Sequence, residues 1–170
     1  PSVEIPCVKA KFVFVTSESM AGVDLGGVAG ARARCNALAQ AAGLPGTYDV
    51  WLSDSQTSPA ARRADNSDPY DWSGPWQLVN GARVADDWDD LSDAGLQQRI
   101  IRTETGAQVS TFVWTGTKTD GSAADAHCND WTAQNELGQA GRTTFSNYTW
   151  TSGFTEGCGT SSLPTYCFEQ

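Results

Sequence analysis

Residues 26–53 read GGVAGARARCNALAQAAGLPGTYDVWLS and contain the clearest secondary-structure signals of the chain. Apolar or small residues recur there at helical spacing: Ala31, Cys35, Leu38, Ala39 and Ala42. This spacing predicts one amphipathic helix over 30–42, with Cys35 on its buried face. Gly43 stands where a helix C-cap glycine is expected, and the alternation in TYDVWLS predicts a strand over 47–53.

Outside this stretch, short β-branched and aromatic runs predict further strands. The predicted strands cover 11–16 (KFVFVT), 82–85, 111–117 (TFVWTGT) and 165–169 (TYCFE). Residues 88–96 predict a short helix or turn, and 128–136 fit either a helix or a loop. The segment 54–80 is rich in Ser, Pro, Asp and Trp without periodicity, so we expect a long ordered loop there, which is often functional. The whole pattern is of the α+β class.

Length and composition predict one globular domain. The chain has 170 residues, of which 39% are hydrophobic and 18% charged, and this is too apolar for a disordered chain. We expect an N-terminal segment over 1–10 and a single domain over 11–170. The net charge of −9 argues against nucleic acid and other polyanions as partners. No apolar run is long enough to span a bilayer, so direct membrane insertion is not expected.

The five cysteines point to an oxidising compartment. Their spacing excludes paired CxxC zinc knuckles, and the crowding of Cys128, Cys158 and Cys167 near the end, with Cys35 far upstream, indicates long-range disulfides. One cysteine is left over, and Cys7, near the N-terminus, is the natural candidate.

Three blocks of sequence resemble endostatin and the wider C-type lectin-like fold. The first is 26–53, with its glycine turn, helix cysteine and hydrophobic strand. The second comprises VWTG at 113–116, DG at 120–121 and CNDW at 128–131, and the third runs from Cys158 to Cys167 within YCFE. The chain also resembles a group of bacterial exported proteins of this kind, through KFVFVT and the segment RVADDWDDL at 83–91. The resemblance implies an endostatin-like fold with mixed antiparallel sheets, one main helix, long loops and two disulfides.

The same resemblance implies the disulfide pairing and the cofactor requirement. It pairs Cys35 with Cys167 and Cys128 with Cys158, and leaves Cys7 without a counterpart. Calcium-dependent sugar binding in such domains needs a proline-containing triplet before the third core cysteine and an Asn-Asp pair before the fourth, and neither SAADAHC nor TSGFTEGC has them. The arginine clusters and N-terminal histidines of endostatin itself are also missing, so its heparin and zinc binding are not expected here. We therefore expect no cofactor.

The aromatic and acidic loop DNSDPYDWSGPW, residues 65–76, is the candidate recognition element. Aromatic faces beside hydrogen-bonding groups suit a sugar or a protein hot spot, and packing of the loop into the core is the alternative. The residues expected to contact a ligand are Asp68, Tyr70, Asp71, Trp72, Trp76, Asp120 and Asn129. Trp88, Trp114 and Trp131 are expected in the core. The five aspartates within 86–93 fit a solvated helix start, with a calcium site as the alternative.

These observations predict an extracellular binding module, secreted or displayed on the cell surface, that recognises a glycan or protein partner. A structural or assembly domain of a larger surface protein is the alternative, with Cys7 forming a covalent link to its partner. We expect no enzyme, because the sole histidine, His127, is accompanied by Asp125 and Asp130 but by no recognisable nucleophile motif.

Overall fold

The computed structural model describes residues 8–170, so the prediction for Cys7 lies outside the described residues. The architecture is α+β, with mixed sheets, one main helix and two disulfides. The helices are α1 (Gly27–Ala41), α2 (Pro59–Ala64) and α3 (Trp88–Leu91). The strands are β1 (Lys11–Val15), β2 (Met20–Ala21), β3 (Tyr48–Val50), β4 (Trp76–Gln77), β5 (Arg83–Ala85), β6 (Phe112–Trp114), β7 (Leu137–Arg142), β8 (Phe154–Gly157), β9 (Ser162–Leu163) and β10 (Tyr166–Glu169). Single 3₁₀ turns cover Gly22–Asp24 and Tyr148–Trp150.

The strands form three sheets, and β1 and β10 both belong to the largest of them. The main sheet has the order β3-β10-β1-β4-β5, in which only the β1–β4 pair is parallel. Strands β6, β7 and β8 form a three-stranded antiparallel sheet, and β2 pairs with β9. The N-terminal and C-terminal strands of the domain therefore lie side by side in the middle of the main sheet.

The main sheet separates two apolar clusters. Because successive side chains on a strand point to opposite faces, Phe14 of β1 packs with α1, whereas Val13 and Val15 pack with a cluster rich in tryptophan. On β10, Cys167 lies on the helix side and Phe168 on the tryptophan side. Each of these two central strands therefore contributes side chains to both apolar clusters.

Two disulfides close the domain, as predicted. The helix bridge joins Cys35 of α1 to Cys167 of β10 across a sequence separation of 132. The turn bridge joins Cys128 to Cys158 across a separation of 30. The prediction that Cys35 lies on the buried face of the helix is confirmed, since its side chain is fully buried. Disulfides of this kind indicate an oxidising, extracellular setting.

Most predicted elements exist, but the strands are shorter than predicted and the main helix is longer. The helix predicted over 30–42 runs from Gly27 to Ala41, and the strand predicted over 47–53 is reduced to β3. The prediction that 54–80 is loop throughout is wrong, because α2 and β4 lie within it. Ser58 begins α2 by accepting a hydrogen bond from the amide of Ala61, with Pro59 at the first helical position, which is a start signal that the sequence contains. Strands β7 and β8 were not predicted.

The ambiguous segment 128–136 begins with a helical turn, Cys128–Trp131, that is left-handed. All four of its residues have φ between 47° and 63°, which is uncommon for residues other than glycine. No helix within residues 8–170 combines the length and apolar character that a membrane crossing requires.

Candidate functional site

The two tryptophans of the candidate recognition loop lie in the core. Trp72 and Trp76 are fully buried and pack against Phe168. The indole N–H of Trp76 donates to the backbone carbonyl of Glu169 at 3.0 Å. The sequence left open whether this loop contacts a ligand or packs into the core. The side chains of Trp72 and Trp76 pack into the core and present no ring face to a ligand.

The other tryptophans expected in the core follow that expectation to different degrees. Trp114 and Trp131 are buried and pack against each other with ring centroids 5.7 Å apart. Trp88 is only half-buried: one part packs on Trp51, and the guanidinium of Arg63 lies 5.3 Å from its ring centroid.

The acidic and tyrosine residues of the loop lie at the surface. Asp68 is half-buried and accepts the amide N–H of Tyr70 at 2.9 Å through Oδ1. Tyr70 is half-buried, with the guanidinium of Arg32 4.3 Å from its ring centroid. Asp71 is exposed, and its carboxylate lies 3.6 Å from the Nζ of Lys11. Hydrogen bonds from Ser73 and the charge of Lys11 lower the pKa of Asp71 against the opposing effect of burial.

Among the described residues, neither Asp120 nor Asn129 forms a hydrogen bond with Asp68. Asp120 is exposed and accepts hydrogen bonds from the hydroxyl and amide of Ser122, which lower its pKa. Asn129 is exposed on the left-handed turn. Their segment contacts the start of α2 instead, where the amide of Ala60 donates to the carbonyl of Gly121 at 3.0 Å.

A surface cavity of about 460 Å³ lies where the recognition loop meets the start of α1. We call it the α1 cavity. It is lined by residues 26–29 at the start of α1 and by five polar or charged residues: Arg32, Asp54, Thr57, Arg62 and Asp68. Gly26 and Gly27 have φ of 76° and 72°, the left-handed region that glycine adopts without a Cβ clash, so the chain turns sharply into the helix at the cavity. The volume falls within the ~300–1,000 Å³ typical of small-molecule sites.

A buried carboxylate, Asp49 of β3, fixes the two arginines of the cavity. Its side chain is 0% exposed and accepts four N–H donors. Oδ1 accepts Nε of Arg32 at 2.8 Å and the amide of Val50 at 2.8 Å. Oδ2 accepts Nε of Arg62 at 2.6 Å and the indole N–H of Trp72 at 3.0 Å. Trp72, from the core, therefore helps to fix the carboxylate that orients the two arginines of the cavity.

Arg62 is held on every side. It is 3% exposed, and its Nη2 donates to the carbonyls of Val50 at 2.8 Å and Leu52 at 3.3 Å, while Nη1 donates to the Thr57 hydroxyl at 3.3 Å. Burial lowers the pKa of the Arg62 guanidinium below its ordinary value, although the charge of Asp49 opposes this effect. A buried charge of this kind requires its partner.

Several polar groups of the cavity keep free hydrogen-bonding capacity among the described residues. The Nε of Arg32 donates to Asp49, and its guanidinium lies over the ring of Tyr70. Its two Nη atoms have no acceptor. Asp54 uses Oδ1 for the amides of the following turn, leaving Oδ2 without a donor. Asp68 likewise keeps Oδ2 without a donor. The cavity thus offers both donors and acceptors to a ligand.

His127 lacks the contacts of a general base beside a nucleophile. Its Nδ1 accepts the amide of Asp130 at 2.9 Å, so the ring serves as a cap for the left-handed turn. The nearby Ser55 hydroxyl donates to Oδ2 of Asp130 at 2.7 Å. Within the described part of the chain, no hydroxyl bonds to the histidine. The hydrogen bonds from Ser55 also lower the pKa of Asp130.

The acidic run 86–93 spans the short helix α3 and its two ends. Oδ1 of Asp87 accepts the amide of Asp90 at 2.9 Å, which is a helix N-cap. Oδ2 of Asp90 accepts the amide of Asp86 and the side-chain amide of Gln97, each at 2.7 Å. Across residues 8–170, no three His, Cys, Asp or Glu side chains cluster closely enough to hold a metal ion.

The sequence matches no protein-family model and no curated protein. The endostatin-like resemblance therefore rests on the sequence blocks that carry it. Of the predicted ligand-contacting residues, Asp68 lines the cavity and Tyr70 packs on Arg32, whereas Arg32, Arg62 and Asp49 were not predicted. One signal was present: Asp49 interrupts a hydrophobic strand, and a carboxylate buried in a strand needs cationic partners.

Proposed function

We propose that this chain is a binding domain of the endostatin-like, C-type lectin-like fold, secreted by a bacterium or displayed on its surface. It recognises a glycan or protein partner at the α1 cavity and uses no calcium to do so. The observation that carries the proposal is the cavity itself, in which Arg32 and Asp68 keep free hydrogen-bonding groups on a fixed frame. The oxidising setting that the disulfides indicate supports an exported protein.

A preorganised site favours binding because little conformational entropy is lost when the ligand arrives. Arg32 is restrained at Nε by Asp49 and at one face by Tyr70, so its free edge is already positioned. Arg62 and Trp72 hold Asp49 from the other side. The half of the recognition loop that reaches the surface, around Asp68, borders the same cavity.

An array of glycans and extracellular-matrix proteins tests the proposal, with three forms of the chain. Asp68→Asn removes the free carboxylate oxygen while its remaining oxygen still accepts the amide of Tyr70. Asp89→Asn is the matched control, because it makes the same change at an exposed aspartate of α3 that does not line the cavity. We expect wild type and Asp89→Asn to bind the same ligand and Asp68→Asn to lose it. Absence of any binder, or equal binding by all three forms, would contradict the proposal.

A further inference from the structure

The left-handed turn Cys128–Trp131 holds its backbone in a conformation that side chains normally disfavour. Among residues 8–170, six residues other than glycine have a positive φ, and four of them are consecutive in this turn. The left-handed region brings Cβ close to the following carbonyl oxygen, so residues adopt it singly far more often than in runs. Such strain persists only where surrounding contacts enforce it, and it is concentrated at functional positions. The contacts of the turn therefore indicate what it does.

Two consecutive side chains of the turn hold residues 53–55. The indole N–H of Trp131 donates to the carbonyl of Ser53 at 2.9 Å. The carboxylate of Asp130 accepts both donors of Ser55, the amide through Oδ1 and the hydroxyl through Oδ2, each at 2.7 Å. The turn bridge fixes the first residue of this turn, so both contacts start from a restrained backbone.

The residues held in this way lead directly into the wall of the α1 cavity. Asp54 and Thr57 line the cavity, whereas Ser55 does not. Oδ1 of Asp54 accepts the amides of Gln56 and Thr57, each at 2.8 Å, and the amide of Asp54 donates to the carbonyl of Thr57 at 3.0 Å. Residues 54–57 thus form one compact turn, which we call the wall turn. Because Ser55 belongs to it, a restraint on Ser55 also restrains the two cavity residues.

From these contacts we infer that Asp130 is a positioning residue for the α1 cavity. By holding the amide and the hydroxyl of Ser55, it fixes the wall turn and so determines where Asp54 and Thr57 stand in the cavity wall. Asp130 itself does not line the cavity. A wall that is fixed in advance loses less conformational entropy when a ligand arrives. The inference rests on the proposed function, to which it adds the element that keeps the site preformed.

The protonation of Asp130 reports directly on this contact. The hydrogen bonds from the hydroxyl and the amide of Ser55 lower the pKa of Asp130, and the charge of His127, whose Nδ1 lies 3.2 Å from Oδ1 of Asp130, lowers it further. Ser55→Ala removes the hydroxyl donor, so the pKa of Asp130 should rise toward the ordinary value of an aspartate. An NMR titration of the Asp130 carboxyl carbon measures this shift. An unchanged pKa would show that the carboxylate does not hold Ser55, and the inference would fail.

Hydrogen exchange of the backbone amides, followed by NMR on the disulfide-bonded chain, tests whether the contact fixes the wall turn. Asp130→Gly deletes the carboxylate, and glycine adopts the φ of 58° at this position without strain, so the left-handed turn is kept. Asn129→Gly is the matched control: it makes the same backbone change at the neighbouring φ of 47°, and among residues 8–170 the side chain that it removes forms no hydrogen bond. We expect the amides of residues 55–57 to exchange at least about tenfold faster in Asp130→Gly, as for the loss of one hydrogen bond to a charged group. In Asn129→Gly, and at β1 and β10 in both variants, exchange should stay at the wild-type rate.

The array of glycans and extracellular-matrix proteins then connects the wall turn to binding. We expect Asp130→Gly to weaken the binding that wild type shows there. Unchanged exchange at residues 55–57, or equally faster exchange at β1 and β10, would overturn the inference, because Asp130 would then have no local role. Faster exchange confined to the wall turn, together with undiminished binding by Asp130→Gly, would also overturn it and would leave the proposed function standing. If wild type binds nothing on the array, the proposed function fails and the positioning role falls with it.

Discussion

Replacing Asp49 by asparagine should destabilise the protein far more than an ordinary surface change. The substitution preserves size but removes the negative charge that faces Arg32 and Arg62. It also turns an amide N–H₂ toward the donor groups, either the guanidinium nitrogens or the indole of Trp72. Arg62, which is 3% exposed, is left as a buried charge without its partner.

The size of this loss follows from the cost of an unpaired buried charge. Removing one partner of a buried ion pair typically costs about 3–5 kcal/mol. For a domain of this length, each kcal/mol lowers the melting temperature by about 2–4 °C, so the midpoint should fall by about 6–20 °C. Thermal unfolding is followed by tryptophan fluorescence with the disulfides intact, since Trp51 and Trp72 lie in the affected core.

Three further variants test whether the loss of stability is specific to the buried charge. Asp71→Asn removes a carboxylate that is 64% exposed and pairs with Lys11 at the surface, so its cost should stay below about 1 kcal/mol. Asp49→Leu combined with Arg62→Met removes both buried charges and should be more stable than Asp49→Leu alone. If Asp49→Asn melts within about 2 °C of Asp71→Asn, the view of Asp49 as the anchor of the cavity is refuted.

Three more outcomes are expected. Serine replacement of both cysteines of the helix bridge should cost about 5 kcal/mol in the chain-entropy model, against about 4 for the turn bridge, and urea unfolding that ranks them in the opposite order would contradict this. Burial raises the pKa of Tyr48, with a further contribution from the charge of Glu169, and burial alone raises the pKa of Tyr166. The stability that the two neutral hydroxyls contribute is therefore present below pH 10 and is lost as the pH rises above it. Absorbance at alkaline pH should show both tyrosines ionising only when the protein unfolds. Millimolar calcium added after EDTA should leave the melting temperature unchanged; a rise of several degrees that Asp87→Ala with Asp90→Ala abolishes would instead assign a calcium site to the start of α3.

The parts of the fold that sequence reasoning predicted are those with strong local signals. In the helix that carries Cys35, the buried residues recur at helical spacing, and the strands β1 and β10 are β-branched and aromatic runs of which most residues are buried. Strands β7 and β8 were missed because glycines and polar residues dominate them, and the pairing with neighbouring strands defines them. The left-handed turn at Cys128–Trp131 has no local signal, since four residues other than glycine adopt it.

The site was predictable only in part, because its residues come from distant segments. The acidic loop drew attention to Asp68 and Tyr70, which do border or support the cavity. Trp72 and Trp76 of the same loop were also expected to contact a ligand, but both are buried. A long loop also needs side chains that pack into the core. Arg32 and Arg62 stand 30 residues apart in sequence, and only the tertiary fold brings both to Asp49.

A crystal structure of the chain with the glycan or protein that the array selects will show directly where the ligand binds. We expect the ligand in the α1 cavity, where it accepts hydrogen bonds from the Nη atoms of Arg32 and donates to Oδ2 of Asp68, with the Asp49 contacts unchanged. A ligand bound elsewhere, such as against Asn129 on the left-handed turn, with the cavity left unoccupied, would contradict it.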